Sequence, residues 1–148
     1  MTPYKQQRVK ARTCQLILTE GQFDMSTWTG AQKDNPDEPR EHPACGTACC
    51  IAGNMIIAAR EERVCPKARP WWHSAGRVEY LADEIWKSIG PAGTDLDSVA
   101  IGMMLGDITP QMAVAHVMTG TPLRQLAADP AAVRAGVRAA RRLIREAL

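Results

Sequence analysis

The chain has 148 residues, of which 45% are hydrophobic and 23% are charged, and its formal net charge at pH 7 is +2. These values exclude a disordered or fibrous chain and are typical of a globular protein, so we expect one domain over residues 1–148. A net charge this small does not by itself indicate binding to nucleic acid, which needs several clustered cations.

The compartment follows from the cysteines and from the apolar segments. The chain contains five cysteines, an odd number. No secretory signal is visible at the start of the chain, and the longest apolar stretch, residues 48–59, is too short to span a bilayer. We therefore expect a cytoplasmic protein with no membrane partner. In a reducing compartment the cysteines are thiols or metal ligands rather than disulfides.

The first predicted helix begins at Thr2 and Pro3, which form an N-cap followed by a proline at the first helical position. Apolar residues then recur at helical spacing, and Gly21 is expected to close the helix. Bulky side chains from Phe23 onward are expected to lie across the core. Residues 29–44 are acidic and rich in proline, so we predict a mobile loop there.

The second predicted helix begins near Thr47 and runs to about Arg63. It is apolar on nearly every side, which predicts a central, buried helix. Gly53 costs about 1 kcal/mol in helix propensity relative to Ala, so we expect another helix to cross closely there. The third helix begins at Ser74 and ends before Gly90. Its inward stripe comprises Val78, Leu81, Ala82, Ile85 and Ile89.

The same start signal, a capping residue followed by proline, then occurs at Thr109, Thr121 and Asp129. Asp97 is expected to cap a further helix ahead of them. The last helix carries an apolar stripe with arginines beside it, and these are Arg134, Arg138, Arg141, Arg142 and Arg145. No alternating strand pattern is present. We therefore predict an all-α, compact single-domain bundle of about five to seven helices with a long polar loop between helices one and two.

The most distinctive motif combines Cys45-Gly46-Thr47 with Cys50-Ile51-Ala52-Gly53, and a Phe23-Asp24 and Trp28 element precedes it. This pattern resembles a group of small uncharacterised proteins from actinobacteria and their phages. Those proteins show Phe-Asp and Trp, then Cys-Gly-Thr, two variable residues and Cys-Ile/Leu-Ala-Gly. The resemblance implies an actinobacterial or phage protein, placed in the host cytoplasm if a phage encodes it. It implies no activity, cofactor or catalytic residue.

The cysteine motif has three interpretations. In the favoured, structural one, Thr47 caps the helix and Cys50 packs as a small hydrophobic residue. In the second, zinc is the cofactor, and its ligands would be drawn from His42, Cys45, Cys49, Cys50, Cys65, His73 and Cys14. In the third, a thiol acidified at a helix N-terminus acts as a nucleophile with a histidine base. The residues for that chemistry would be Cys45 or Cys50 with His73 or His116.

Two surfaces are candidates for contact with a partner. The first places adjacent tryptophans beside a cation in a loop, at Arg69, Trp71 and Trp72, where one indole could equally plug the core and the other cover it. The second is the terminal arginine stripe, represented by Arg138 and Arg142.

We therefore predict a protein without catalytic activity or cofactor that binds another protein. The alternatives are a cysteine-dependent enzyme or zinc protein, and a weak nucleic-acid binder that uses the arginine stripe. Assembly as a homodimer stays open.

Overall fold

The computed structural model describes residues 1–19, 23, 50–66, 74–97 and 108–148. Within these residues the secondary structure is entirely helical, as predicted. The helices are α1 (Pro3–Leu18), α2 (Ile51–Glu61), α3 (Ser74–Ile89), α4 (Pro110–Thr119), α5 (Leu123–Ala127) and α6 (Pro130–Ala147). None of them is long and apolar enough to cross a membrane. The predicted loop over residues 29–44 and the helix predicted after Asp97 lie outside the described residues.

Three helices begin where a capping residue precedes a proline. Thr2, Thr109 and Asp129 each accept a hydrogen bond, through a side-chain oxygen, from the backbone amide three residues later, at 3.4, 3.2 and 3.0 Å. These bonds satisfy amide groups that have no partner inside the helix. The predicted starts of α1, α4 and α6 are therefore confirmed.

The start of α5 lies one residue later than the pattern at Thr121 predicts. Pro122 has a non-helical backbone and is itself the N-cap, and no side chain of its own caps the helix. The Asp97 carboxylate accepts a hydrogen bond of 2.9 Å from the amide of Leu123 instead. A residue distant in sequence thus does the capping that was assigned to Thr121.

The start of α2 also differs from the prediction. Cys50 has extended backbone and is the N-cap, so the helix begins at Ile51 rather than near Thr47. The carbonyl of Cys50 accepts hydrogen bonds from both the amide and the side chain of Asn54, at 3.0 and 3.1 Å. The Cys50 carbonyl therefore accepts the first main-chain hydrogen bond of α2, and the Asn54 side chain reinforces this turn.

The end of α2 is a left-handed turn without a glycine. Arg63 has a φ of 57°, a conformation that is uncommon for residues with a Cβ. The amide of Arg63 bonds the carbonyl of Arg60, and the amide of Val64 bonds that of Ala59, both at 2.9 Å. This pair of bonds is a Schellman motif. Glu62, the C-cap residue, is held at the end of α2 beside α1.

The core is centred on α2, whose residues from 51 to 59 are all buried. Gly53 is among them, and α2 packs against both α1 and α3. On α3 the predicted stripe is buried at Leu81, Ala82, Ile85 and Ile89. Phe23 is partly buried against this core. The prediction of a central second helix is confirmed, and close contact of α3 with Gly53 stays a prediction.

The tightest crossing described in the structure joins α4 and α6. A Cβ placed on Gly136 would lie 2.7 Å from both Cα and Cβ of Ala115, closer than carbon atoms normally pack. Val137 and Ala140, beside it on α6, are buried. The absence of a side chain at Gly136 therefore lets α6 lie directly on α4.

Candidate partner-binding site

Several predicted site residues near the cysteine motif and in the tryptophan loop lie outside the described residues. These are His42, Cys45, Cys49, Arg69, Trp71, Trp72 and His73. The structure places six of the predicted site residues, namely Cys14, Cys50, Cys65, His116, Arg138 and Arg142.

The cysteines that the structure does place are packing residues. Cys14 and Cys50 are fully buried, and Cys65 is partly buried. Burial raises the pKa of the Cys14 thiol to about 12 and also raises that of Cys65. A raised pKa keeps a thiol protonated and unreactive. Across the described parts of the chain, no group of three or more His, Cys, Asp or Glu side chains could hold a metal ion.

His116 is a buried, fully hydrogen-bonded histidine. Its ring stacks on Trp86, with the ring centroids 4.9 Å apart and the planes 13° from parallel. Nδ1 donates to the carbonyl of Thr121 at 2.8 Å, and Nε2 accepts from the amide of Asp97 at 3.2 Å. These partners define the neutral tautomer with the proton on Nδ1. Burial lowers the pKa of His116, which keeps the ring neutral.

A surface pocket of about 390 Å³ lies beside His116. Its lining comprises Gly93, Thr94, Asp95, Leu96, Asp97, His116, Gly120 and Pro122. The polar groups on its wall already serve the fold, since Asp97 caps α5 and both His116 nitrogens bond main-chain groups. Trp86 is tied to the same segment through a 3.1 Å bond from Nε1 to the carbonyl of Thr94. The pocket therefore marks a structural junction of α3, α4 and α5.

The basic residues near the start of the chain are used for packing α1 against α2. Glu62 accepts hydrogen bonds of 2.8 Å from Lys5 Nζ and from Arg8 Nε. Arg12 forms a two-pronged pair with Glu61, one bond of which measures 3.0 Å. The hydrogen bond from Lys5 is the largest cause of the lowered pKa of Glu62. The charges of Lys5, Arg8 and Arg12 are thus matched inside the fold.

Within the part of the chain that the structure describes, the arginines of α6 have no comparable match. We call them the arginine face, and it comprises Arg134, Arg138, Arg141, Arg142 and Arg145, all of which are exposed. Among the described residues, the carboxylate recorded as an ion-pair partner of this face is Glu146, whose Oε1 lies 4.0 Å from Arg142 Nε. Both of those side chains are largely exposed, at 72% for Arg142 and 65% for Glu146, so this pair contributes little.

The spacing of the arginine face puts its members on one side of the helix. Successive residues of an α-helix are about 100° apart, so positions 134, 138, 141, 142 and 145 fall within an arc of about 100°. The opposite side holds Gly136, Val137 and Ala140 against the core. Arg8 also donates to the carbonyl of Ala147 at 3.1 Å, which ties the end of α6 to α1.

This arrangement is a solvent-facing row of guanidinium groups on a helix that packs against the core. Arginine binds carboxylate and phosphate groups with two parallel hydrogen bonds, so the face is suited to an anionic partner. The sequence predicted this stripe from its helical spacing and represented it by Arg138 and Arg142. The structure places all five arginines at exposed positions.

Comparisons of the chain with protein family models, with curated proteins and with solved structures found no match.

Proposed function

We propose that this chain is a small cytoplasmic binding protein that associates with another protein without catalysing a reaction, and that the arginine face of α6 is its contact surface. One observation carries the proposal. Five arginines are exposed on one side of a helix whose other side is packed in the core, and among the described residues their recorded ion-pair partner is the largely exposed Glu146. Arginine is among the residues enriched at the energetic centres of protein interfaces.

The contrast with α1 supports this proposal. There the basic side chains meet Glu61 and Glu62 at hydrogen-bonding distance and are needed to hold two helices together. The arginine face has no comparable task within the described residues. Repulsion among like charges on one helix face destabilises the helix slightly, so a row of this kind is better explained by an external anionic partner than by the fold.

The test of the function is to recover a partner and rebuild the complex from purified components. A double variant, Arg138→Glu with Arg142→Glu, reverses the charge at the centre of the face. Arg63→Glu is the control, because Arg63 is an exposed arginine that does not belong to α6. Circular dichroism establishes that all variants stay folded, which we expect because the altered side chains are exposed.

The expected result is a purified partner that binds the unaltered chain and the control equally and the double variant at least about tenfold more weakly, since several surface ion pairs are lost or reversed. A purified partner that binds all three equally would contradict the proposed surface. Recovery that depends on nucleic acid, and is abolished by nuclease treatment, would contradict a direct protein contact.

A further inference from the structure

The arginine face has a geometry that fits one kind of partner surface in particular. Resting on the proposed function above, we propose that the face receives an acidic α-helical segment of the partner, which lies along α6 and presents carboxylates three to four residues apart. The argument uses the axial spacing of the arginines, the pairing seen elsewhere in this fold, and the side chains that flank the face.

The axial spacing matches that of another helix. A helix rises about 1.5 Å per residue, so Arg134 and Arg145 are separated by about 16 Å along the axis. The other members lie between them at steps of roughly 4 to 6 Å, except for the adjacent Arg141 and Arg142. A second helix with acidic residues three to four positions apart repeats at the same steps. Each carboxylate of such a segment can then meet a guanidinium along the full row, whereas a segment with a different repeat falls out of register.

The fold already pairs a basic helix row with carboxylates from another element. Lys5, Arg8 and Arg12 occupy one side of α1 at steps of three and four residues, and they bind the adjacent carboxylates of Glu61 and Glu62 at the end of α2. The Glu62 and Glu61 side chains are 10% and 21% exposed. A row of cations on one helix bound by carboxylates from outside that helix is therefore a contact that this chain uses itself. The row on α6 also has members three and four residues apart, and no helix lies over it in the described structure.

The flanking residues leave room for a helix to approach. Ala131 and Ala135 are exposed beside the arginine face, and short side chains allow neighbouring helix axes to come closer. A nucleic-acid duplex is less well matched. The sequence pI is about 8.3, whereas nucleic-acid-binding domains usually exceed about 9.

Synthetic peptides test the proposal without knowledge of the partner. One probe is an alanine-based helical peptide with four glutamates along one face, spaced like the arginines. The second has the same composition with the glutamates distributed around the helix. The third carries lysines in place of the glutamates of the first. Binding to the whole chain is followed by fluorescence anisotropy at low salt, with a duplex DNA oligonucleotide measured under the same conditions.

We expect the one-faced acidic peptide to bind about tenfold more tightly than the distributed one, because several surface ion pairs act together. Reversing Arg138 and Arg142 to Glu should abolish that preference, while Arg63→Glu should leave it unchanged, and the lysine peptide should not bind the unaltered chain. Equal binding of the two acidic peptides, binding of neither, or tighter binding of the duplex would each overturn the acidic-helix proposal. The proposed function is judged separately, by whether a purified partner needs the same arginines.

Discussion

Substitution of Gly136 by Ala tests the crossing of α4 and α6, which holds the arginine face on the core. The added Cβ would lie 2.7 Å from both Cα and Cβ of Ala115. Carbon atoms pack comfortably at about 3.5 to 4.0 Å, so the two helices would have to separate by roughly 1 Å. One of the two short contacts is to backbone, which cannot move away by rotating a side chain.

Two effects of opposite sign determine the size of the change. Overpacking of a close-packed site costs about 1–3 kcal/mol. Alanine in place of glycine inside a helix stabilises the helix by about 1 kcal/mol. We therefore expect Gly136→Ala to lower the free energy of unfolding by up to about 2 kcal/mol. For a chain of this size, each kcal/mol shifts the melting temperature by about 2–4 °C.

The assay is thermal and urea unfolding, with Ala135→Gly as the matched control. Ala135 is exposed on the same helix, so its replacement measures the propensity difference without any packing change. The stability lost in Gly136→Ala, added to that difference, gives the cost of the clash. Ala115→Gly in the Gly136→Ala background removes one of the two short contacts, and the double variant should recover part of the loss.

A stabilisation by Gly136→Ala equal to the loss in Ala135→Gly would refute the reasoning, because it would mean that nothing crosses α6 at this glycine. Failure of the double variant to recover any stability would show that Ala115 is not the neighbour that matters.

Three further predictions concern the buried polar groups and the thiols. Burial lowers the folded-state pKa of His116 below its unfolded value near 6.5. The free energy of unfolding should therefore be highest above about pH 6.5 and should fall as the pH drops below that value, and His116→Gln should flatten this fall; equal pH profiles of the two chains would contradict it. Glu62→Gln should lower the free energy of unfolding, measured with urea, by about 1–2 kcal/mol, because charge-assisted hydrogen bonds are lost. Glu146→Gln should change the free energy of unfolding by no more than about 0.5 kcal/mol. Alkylation of the native protein, followed by mass spectrometry, should label Cys45 faster than Cys50, whose side chain is buried; the reverse order would make Cys50 the accessible thiol.

The sequence by itself determined the helical class and most helix starts. Thr2, Thr109 and Asp129 act on amides three residues away, so the information that places a helix start is local and can be read directly. The apolar stripe of α3 and the exposed row on α6 follow from the same local rule, because side chains three and four residues apart share a face.

The sequence mispredicted helix boundaries where the cap expected from a neighbouring residue is supplied in another way. The start of α5 depends on Asp97, which lies 26 residues away from the amide that it caps. Arg63 ends α2 in a left-handed turn that a glycine would have marked. Tertiary packing fixes the backbone conformation at these helix ends, so the residue type alone does not predict it.

The tertiary structure alone decided how the charges are shared and where helices cross. Lys5 and Arg8 bind Glu62 across 57 and 54 residues of sequence, so the two basic ends of the chain looked alike until the fold was known. The spacing within α6 gives no sign that Gly136 meets Ala115. Contacts between helices depend on where whole elements dock, and that position is set by the sum of buried surfaces over the core rather than by any one segment.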